Sequence, residues 1–413
     1  MGMKTFKQEV VSGGTQQPLG EGDLPPDTIH PVAGIGIWVA MFALIYLYSP
    51  WAFVFALALA VSIVAHEWGH YWTAKRSGMK ATQFFLGFGP RIWSTHRNGV
   101  EWGVRVLPLG GFVKIIGMTN IDEVPEEDES RTYRQGTYAR RMWVITAGSV
   151  MHLILAFAII VPVYAIAGPV QHTDRVELWR ISDDSPAAAA GLEAGDVVTS
   201  LDGEPITSAD DFRAGLGAQL PGTAVTIGIM RDGIDTEVTA TLAQHPDFTE
   251  PRGYLGVSSS DEARVPIGFG EALVRGPKDL FVGVGQAVVG VAKVINPVNV
   301  WGHLVGTNDD PASRPGTIVG ATQISDDVGT FGGWPEVLAL LAAVNLSVGV
   351  FNMFPLIPLD GGHAAIATYE RLRSRRGKRY YADINKLMPV AALCLTLIAF
   401  MFLTGLYLDI VKG

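Results

Sequence analysis

Two histidines four residues apart enclose a glutamate in the pentapeptide His66-Glu67-Trp68-Gly69-His70. On a helix, positions i and i+4 share one face, so both imidazoles can bind one zinc ion while Glu67 stands beside them as a base for water. The alternative at the same spacing is a pair of hydrogen-bonded histidines at a helix end. Position argues against it. No Asp, Glu, Lys or Arg occurs from Thr28 to Ala65, and ionisable groups at membrane depth are costly and usually functional. A zinc-hydrolase pair that closes an apolar segment points to proteolysis within or beside a bilayer.

A second polar group interrupts a later apolar stretch, Asn352-Met353-Phe354-Pro355-Leu356-Ile357-Pro358-Leu359-Asp360-Gly361-Gly362-His363. Two prolines break any helix here, and Asp360 falls where a span should still be apolar. Broken backbone at that depth is tolerated only where it lines a cavity or is buried in protein. The bland alternative is a helix C-cap, with Gly361-Gly362 ending the helix and Asp360 solvated.

The elements that must carry these groups follow from composition. Of 413 residues, 48% are hydrophobic and only 17% charged, against about 25% charged in a soluble domain, so much of the chain faces lipid. A net charge of −9 argues against nucleic acid as a partner. Cys394 is the sole cysteine, which excludes an intramolecular disulfide and a cysteine-based zinc site. Residues 1–30 are polar, rich in Gly, Pro and acids, and read as a mobile tail and not a signal peptide.

Four uncharged blocks stand out, Thr28–Ala65, Met142–Thr173, Val337–Leu359 and Leu387–Leu408. A span needs about 20 apolar residues, so the last three fit one helix each and the first reads as two, divided near Ser49-Pro50. Around Val32–Tyr48 a kinked or interfacial helix would also fit. The fold class is thus a polytopic α-helical membrane protein of about five spans. Lys75, Arg76 and Lys80 follow the second span, and Arg131, Arg134, Arg140 and Arg141 precede the third. Arg371, Arg373, Arg375, Arg376, Lys378 and Arg379 lie between the fourth and fifth. The positive-inside rule makes both connections cytoplasmic and residues 174–336 extracytoplasmic. The second and fourth spans then run in the same direction, so His66, His70 and Asp360 all arrive at the cytoplasmic ends of their helices. Three protein ligands plus water is what catalytic zinc requires.

Thr82–Met118 is Gly-rich with alternating aromatics, and Asn98-Gly99 signals a tight turn between Arg91–Thr95 and Val100–Leu107. Gly110–Ile116 reads as a further strand, either an edge for an extended substrate or a cover for the cytoplasmic mouth. Asp122–Glu129 carries six carboxylates in eight residues and reads as a solvated loop. Leu280–Ile295 suits a helix lying on the outer membrane surface.

Taken together, His66–His70, Asn352–His363 and Gly110-Gly111-Phe112-Val113-Lys114 resemble the site-2 protease family of intramembrane zinc metalloproteases, over nearly the whole chain from about Trp51. The nearest likeness is to its PDZ-containing bacterial branch that processes anti-sigma factors, with an actinobacterial member expected. The resemblance implies that His66, His70 and Asp360 ligate Zn2+, that Glu67 is the general base, and that Asn352 contacts substrate or the oxyanion. It also implies that Gly110, Gly111, Phe112, Val113 and Lys114 hold substrate. Two features depart from the family. A span precedes the catalytic helix, and the third span opens Gly148-Ser149-Val150-Met151-His152 where Gly-Pro-x-x-Asn is usual. His152 reads as a packed, hydrogen-bonded residue, with a ligand role as the alternative.

Between the third and fourth spans, Ser185-Pro186 leads through Gly191-Leu192 to Gly195-Asp196, Leu201-Asp202-Gly203 and Ile206. Two alternating runs follow, Ala224–Met230 and Thr236–Leu242, joined by Arg231-Asp232-Gly233. This pattern resembles one extracytoplasmic α+β PDZ domain of bacterial protease type, either a size filter or a peptide binder. The expected organisation is a tail (1–30), an N-terminal membrane part (31–175), the PDZ domain (176–260), a linker with an interfacial helix (261–335) and a C-terminal membrane part (336–413). The implied function is cleavage of single-pass membrane proteins, anti-sigma factors among them, after an upstream site-1-type protease has trimmed them. The setting is the cytoplasmic membrane, with the lipid bilayer as surroundings and no nucleic acid. The rivals are a non-catalytic PDZ-bearing adaptor, against which intact Glu67 speaks, and an ion transporter. The latter predicts further carboxylates in the last two spans, and none is there.

Overall fold

The computed structural model describes residues 29–118, 122–246, 250–374 and 378–411, so the expected tail lies almost wholly outside them. It divides into two compact units, Met1–Val161 with Leu273–Gly413, and Pro162–Ala272.

The first unit begins with helix α1 (Pro31–Tyr48) and helix α2 (Pro50–Arg76). Their break falls at Ser49, whose hydroxyl accepts from the Trp51 and Ala52 amides, and Pro50 supplies the fixed φ of a first helical residue. Strands β1 (Ala81–Arg97) and β2 (Val100–Ile115) are long and bulged, and turn at Asn98 (φ 53°) and Gly99 (φ 75°). Their register folds the hairpin back on itself. Residues 91–97 pair with 100–105, residues 101–104 also pair with 83–86, and residues 81–86 pair in turn with 111–115. Among the described residues, Gly111–Ile115 is therefore paired along one side only. Phe84 stacks on Trp102 with ring centroids 4.6 Å apart, and Tyr71 and Trp68 of α2 pack edge-on or tilted against that pair, fixing the hairpin to α2.

The acidic run leaves Glu123, Glu126 and Glu127 exposed, as expected of a solvated loop, but ties down Asp128 and Glu129. Glu126–Arg131 forms a 3-10 turn in which Asp128 pairs with Lys80 and Glu129 with Arg134. Arg134 and Gln135 hold the Glu129 carboxyl down at about 2 by hydrogen bonding to its charged form. Helix α3 (Tyr138–Ile166) follows.

The second unit is α+β. Its elements are β3 (Val170–Ile181), α4 (Pro186–Ala189), β4 (Val197–Leu201), β5 (Glu204–Pro205) and α5 (Ala209–Ala218). Then come β6 (Ala224–Arg231), β7 (Ile234–Thr241), β8 (Ala243–Gln244), β9 (Gly253–Tyr254) and β10 (Val257–Arg264). A six-stranded antiparallel sheet runs β10-β3-β4-β6-β7 with β5 on β4, and β8 pairs with β9 separately. The sheet starts at Val170 and ends at Arg264, beyond 176–260 at both ends. Alternate residues Val225, Ile227 and Ile229 of β6 turn inward onto Val176, Leu178, Val198, Phe212 and Leu242. Asp196, buried at the head of β4, receives both Nε and Nη2 of Arg231 at 2.6 and 2.7 Å.

The chain re-enters the first unit as α6 (Phe269–Ile295), longer than the surface helix expected at Leu280–Ile295 and bent by 65° into α7 (Pro297–Val305). Helix α8 (Ile318–Gly332) is capped by the carboxylate of Asp409, which accepts from Thr317 N, Thr317 Oγ1 and Gly320 N at 3.0, 2.7 and 3.2 Å. The third uncharged block holds one helix but is not filled by it. Helix α9 (Trp334–Asn352) ends before the prolines, and α10 (Asp360–Arg373) starts a new one beyond the block. Gly361-Gly362 therefore opens a helix and does not end one. Helix α11 (Ile384–Val411) closes the chain. Among the described residues five helices, α1, α2, α3, α9 and α11, are long and apolar enough to cross a membrane, and the bent pair α6–α7 makes a sixth if it is one span.

Candidate metal centre

His66 and His70 lie one turn apart on the buried face of α2. Nδ1 of His70 donates to the Val144 carbonyl of α3 at 2.8 Å, which fixes the ring and leaves Nε2 bare for a metal. The Nε2 atoms of the two imidazoles are 3.1 Å apart. Asp360 Oδ2 lies 3.4 Å from that of His66 and 3.2 Å from that of His70. Tetrahedral ligands bonded at 2.0–2.1 Å to one zinc ion sit about 3.3–3.4 Å from each other, so this nearly equilateral triangle fits zinc. Oδ2 of Asp360 is also buried without a hydrogen-bond donor, a costly state that a cation in the triangle relieves. His66, His70 and Asp360 are the group that could hold a metal ion among the described residues.

Close approach of backbone shapes this triangle. At Gly148 of α3, a Cβ would come within 2.4 Å of His66 Cε1 and 2.5 Å of His70 Nε2. Only glycine lets α3 lie against both rings. At Gly361 a Cβ would meet the carbonyl oxygens of Met353 and Phe354 at 2.2 Å. The first turn of α10 thus folds down onto the proline-broken segment, carrying Asp360 to the histidines.

Glu67 follows His66 on α2 and meets the hairpin. The Val113 backbone hydrogen-bonds its carboxylate. Gly111 backs onto it so closely that a Cβ there would lie 2.9 Å from Glu67 Cγ. Among the described residues, the strand Gly110-Gly111-Phe112-Val113-Lys114 has one unpaired side, so the carboxylate sits alongside a strand edge. Phe112 stacks on Phe85, and the Arg105 guanidinium lies over both rings, stiffening that edge. Asn352 is the half-buried last residue of α9, at the mouth of the broken segment. His152 is buried and hydrogen-bonded, as expected. Its Nδ1 lies 2.9 Å from Oδ1 of Asn345.

Sequence reasoning missed two residues of this region. Asn345 is fully buried within an apolar span, and an amide in such a run was the available signal. Gly148 was visible only as part of an atypical motif, since its contact with the histidines is tertiary.

The model of Peptidase family M50 matches residues 54–397 of the chain. Zinc metalloprotease Rip1 of Mycobacterium tuberculosis is 34% identical over 398 residues, covering 87% of this chain and 96% of that protein. Zinc metalloprotease Rip1 of Mycolicibacterium smegmatis is 33% identical over 401 residues, covering 87% and 97%. Among solved structures, the PDZ domain of an SdrC-like protein from Listeria monocytogenes is 25% identical, with a TM-score of 0.20, covering 21% of this chain and 90% of that one.

Proposed function

This chain belongs to peptidase family M50, and from that premise we propose that its multi-pass zinc metalloprotease fold cleaves transmembrane segments of single-pass membrane proteins already trimmed outside the membrane. The observation that carries the reading is the triangle of His66, His70 and Asp360 atoms with Glu67 beside it on an open strand edge.

Zinc held by the three ligands would polarise a scissile carbonyl and acidify water. Glu67 takes the proton of the attacking water and returns it to the leaving amine. A helical substrate hides its carbonyls in its own hydrogen bonds, so it must be drawn out before attack. Strand addition along Gly110–Lys114 does this, since the unpaired edge offers backbone groups in register and the carboxylate of Glu67 lies next to it. Asn352, at the end of α9, supplies an amide toward substrate or the developing oxyanion.

Basic residues at the end of α2 and after α10 support a cytoplasmic position for the site, and span alternation then puts residues 176–259 outside. On this reading the α+β unit is a size filter against untrimmed ectodomains, and anti-sigma factors released by an upstream protease are the expected substrates. Cells carrying Glu67→Gln should accumulate membrane proteins truncated outside but intact within the membrane. Removing residues 176–259 should let untrimmed substrates be cut, still in a Glu67-dependent way. Undiminished processing in Glu67→Gln cells would instead favour a non-catalytic adaptor.

A further inference from the structure

His152 and Asn345 form a buried polar pair that the hydrolytic scheme does not use. They are 2% and 0% exposed, in spans that are otherwise apolar. Asn345 on α9 donates from Nδ2 to the Leu341 carbonyl at 2.9 Å, so its Oδ1 must face His152 on α3. The 2.9 Å contact between that oxygen and His152 Nδ1 then makes the imidazole the donor. One turn beyond Asn345, Gly349 lets the two helices close up, for a Cβ there would meet His152 Cβ at 3.1 Å and the Ser149 carbonyl oxygen at 3.3 Å. The His152 ring, so fixed, lies 5.0 Å from the His66 ring centroid to centroid. His66 is thus confined between the backbone at Gly148 and an imidazole that cannot turn.

We infer that Asn345 and His152 are positioning residues for the zinc ligand His66, and that their hydrogen bond sets metal affinity from two helices that supply no ligand. The inference rests on the reading of His66, His70 and Asp360 as zinc ligands. A free imidazole samples many rotations about its Cβ–Cγ bond, whereas a ligand must present Nε2 within a few tenths of an ångström of one place. Locking the neighbouring ring removes the alternatives before metal arrives. Groups that orient a metal-bound histidine typically contribute about 10–100-fold to affinity.

The test measures zinc affinity of the purified full chain in detergent by competition with a chromogenic chelator, alongside thermal unfolding of the metal-free protein. Asn345→Leu removes the acceptor at similar volume. His152→Phe keeps a ring against His66 and removes only the hydrogen bond. Each should weaken zinc binding by about 10–100-fold. The double variant should bind no more weakly than either single one, because the pair acts as a unit. Asn345→Asp, which retains an acceptor, should hold affinity close to wild type. Wild-type affinity in His152→Phe, or losses that multiply in the double variant, would overturn the inference. A wild-type chain that binds no zinc would instead overturn the metal centre on which it rests.

Discussion

Replacing Gly148 with alanine adds one methyl group where α3 lies against the imidazoles of His66 and His70, the candidate metal ligands. The new carbon would stand 2.4 Å from His66 Cε1, 2.5 Å from His70 Nε2 and 2.6 Å from His66 Nδ1. Carbon contacts are comfortable at about 3.5–4.0 Å, so the rings must retreat by about 1 Å or α3 must move as far. A zinc site tolerates about 0.2 Å in its bond lengths, so either response spoils the triangle. Overpacking alone costs about 1–3 kcal/mol of stability, which a large membrane unit can absorb. Zinc affinity should fall by at least about 100-fold, equivalent to about 2.7 kcal/mol, while helical content stays that of the wild type. The assay is chelator competition on the purified protein, with Val150→Ala, at a 43% exposed position on the same helix, as the control for a one-residue change in α3. Wild-type zinc affinity in Gly148→Ala would mean that the ligands are not where the structure puts them.

Asp409→Asn can keep an acceptor for Thr317 and Gly320 only by turning its amide donor toward Arg314, whose Nη2 lies 3.2 Å from Oδ1, and it leaves that guanidinium without its charge partner. Thermal stability should drop by about 2–4 kcal/mol with zinc content unchanged, and an unaltered melting profile would refute the cap. Glu129, held at about 2 by Arg134 against an ordinary 4.5, contributes stability in full above pH 4.5 and loses it as pH falls toward 2. Hydrogen-exchange protection over residues 126–135, taken relative to intrinsic exchange at each pH, should therefore hold at pH 5 and fall below 4; protection already lost at pH 5 would contradict the pairing. Reporter fusions should place 80–140 and 371–386 inside the cell and 176–259 outside, and a cytoplasmic signal from the last would overturn the charge argument.

Much of the candidate site is legible in the sequence. The i, i+4 spacing of His66 and His70 needs only helical periodicity, and Asp360 declared itself as a carboxylate in an apolar run. The hairpin turn at Asn98-Gly99 and the break at Ser49-Pro50 are local signals and were read as such. What escaped depends on tertiary contact. Pro355 and Pro358 marked a break, but that Gly361-Gly362 begins α10 follows from the packing of its first turn on Met353 and Phe354. The extent of α6 was hidden because Glu271, Arg275, Lys278 and Asp279 dilute its apolar character. The pairing of Asp128 and Glu129 within the acidic run was hidden because their partners, Lys80 and Arg134, are set beside it by folding. Gly148 and Asn345 belong to the same class, since their meaning lies in what faces them across a helix interface.

If Glu67 performs hydrolysis at a zinc ion held by His66, His70 and Asp360, its loss must stop cleavage without emptying the site. The measurement is cleavage of a purified, pre-trimmed transmembrane substrate by the wild-type protein and by Glu67→Gln, each shown beforehand to carry one zinc per chain. Removal of a general base typically costs about 10²–10⁴-fold in rate. Glu67→Gln should show a loss of that size with zinc content intact; comparable cleavage by the two proteins at equal zinc would contradict a catalytic role for Glu67.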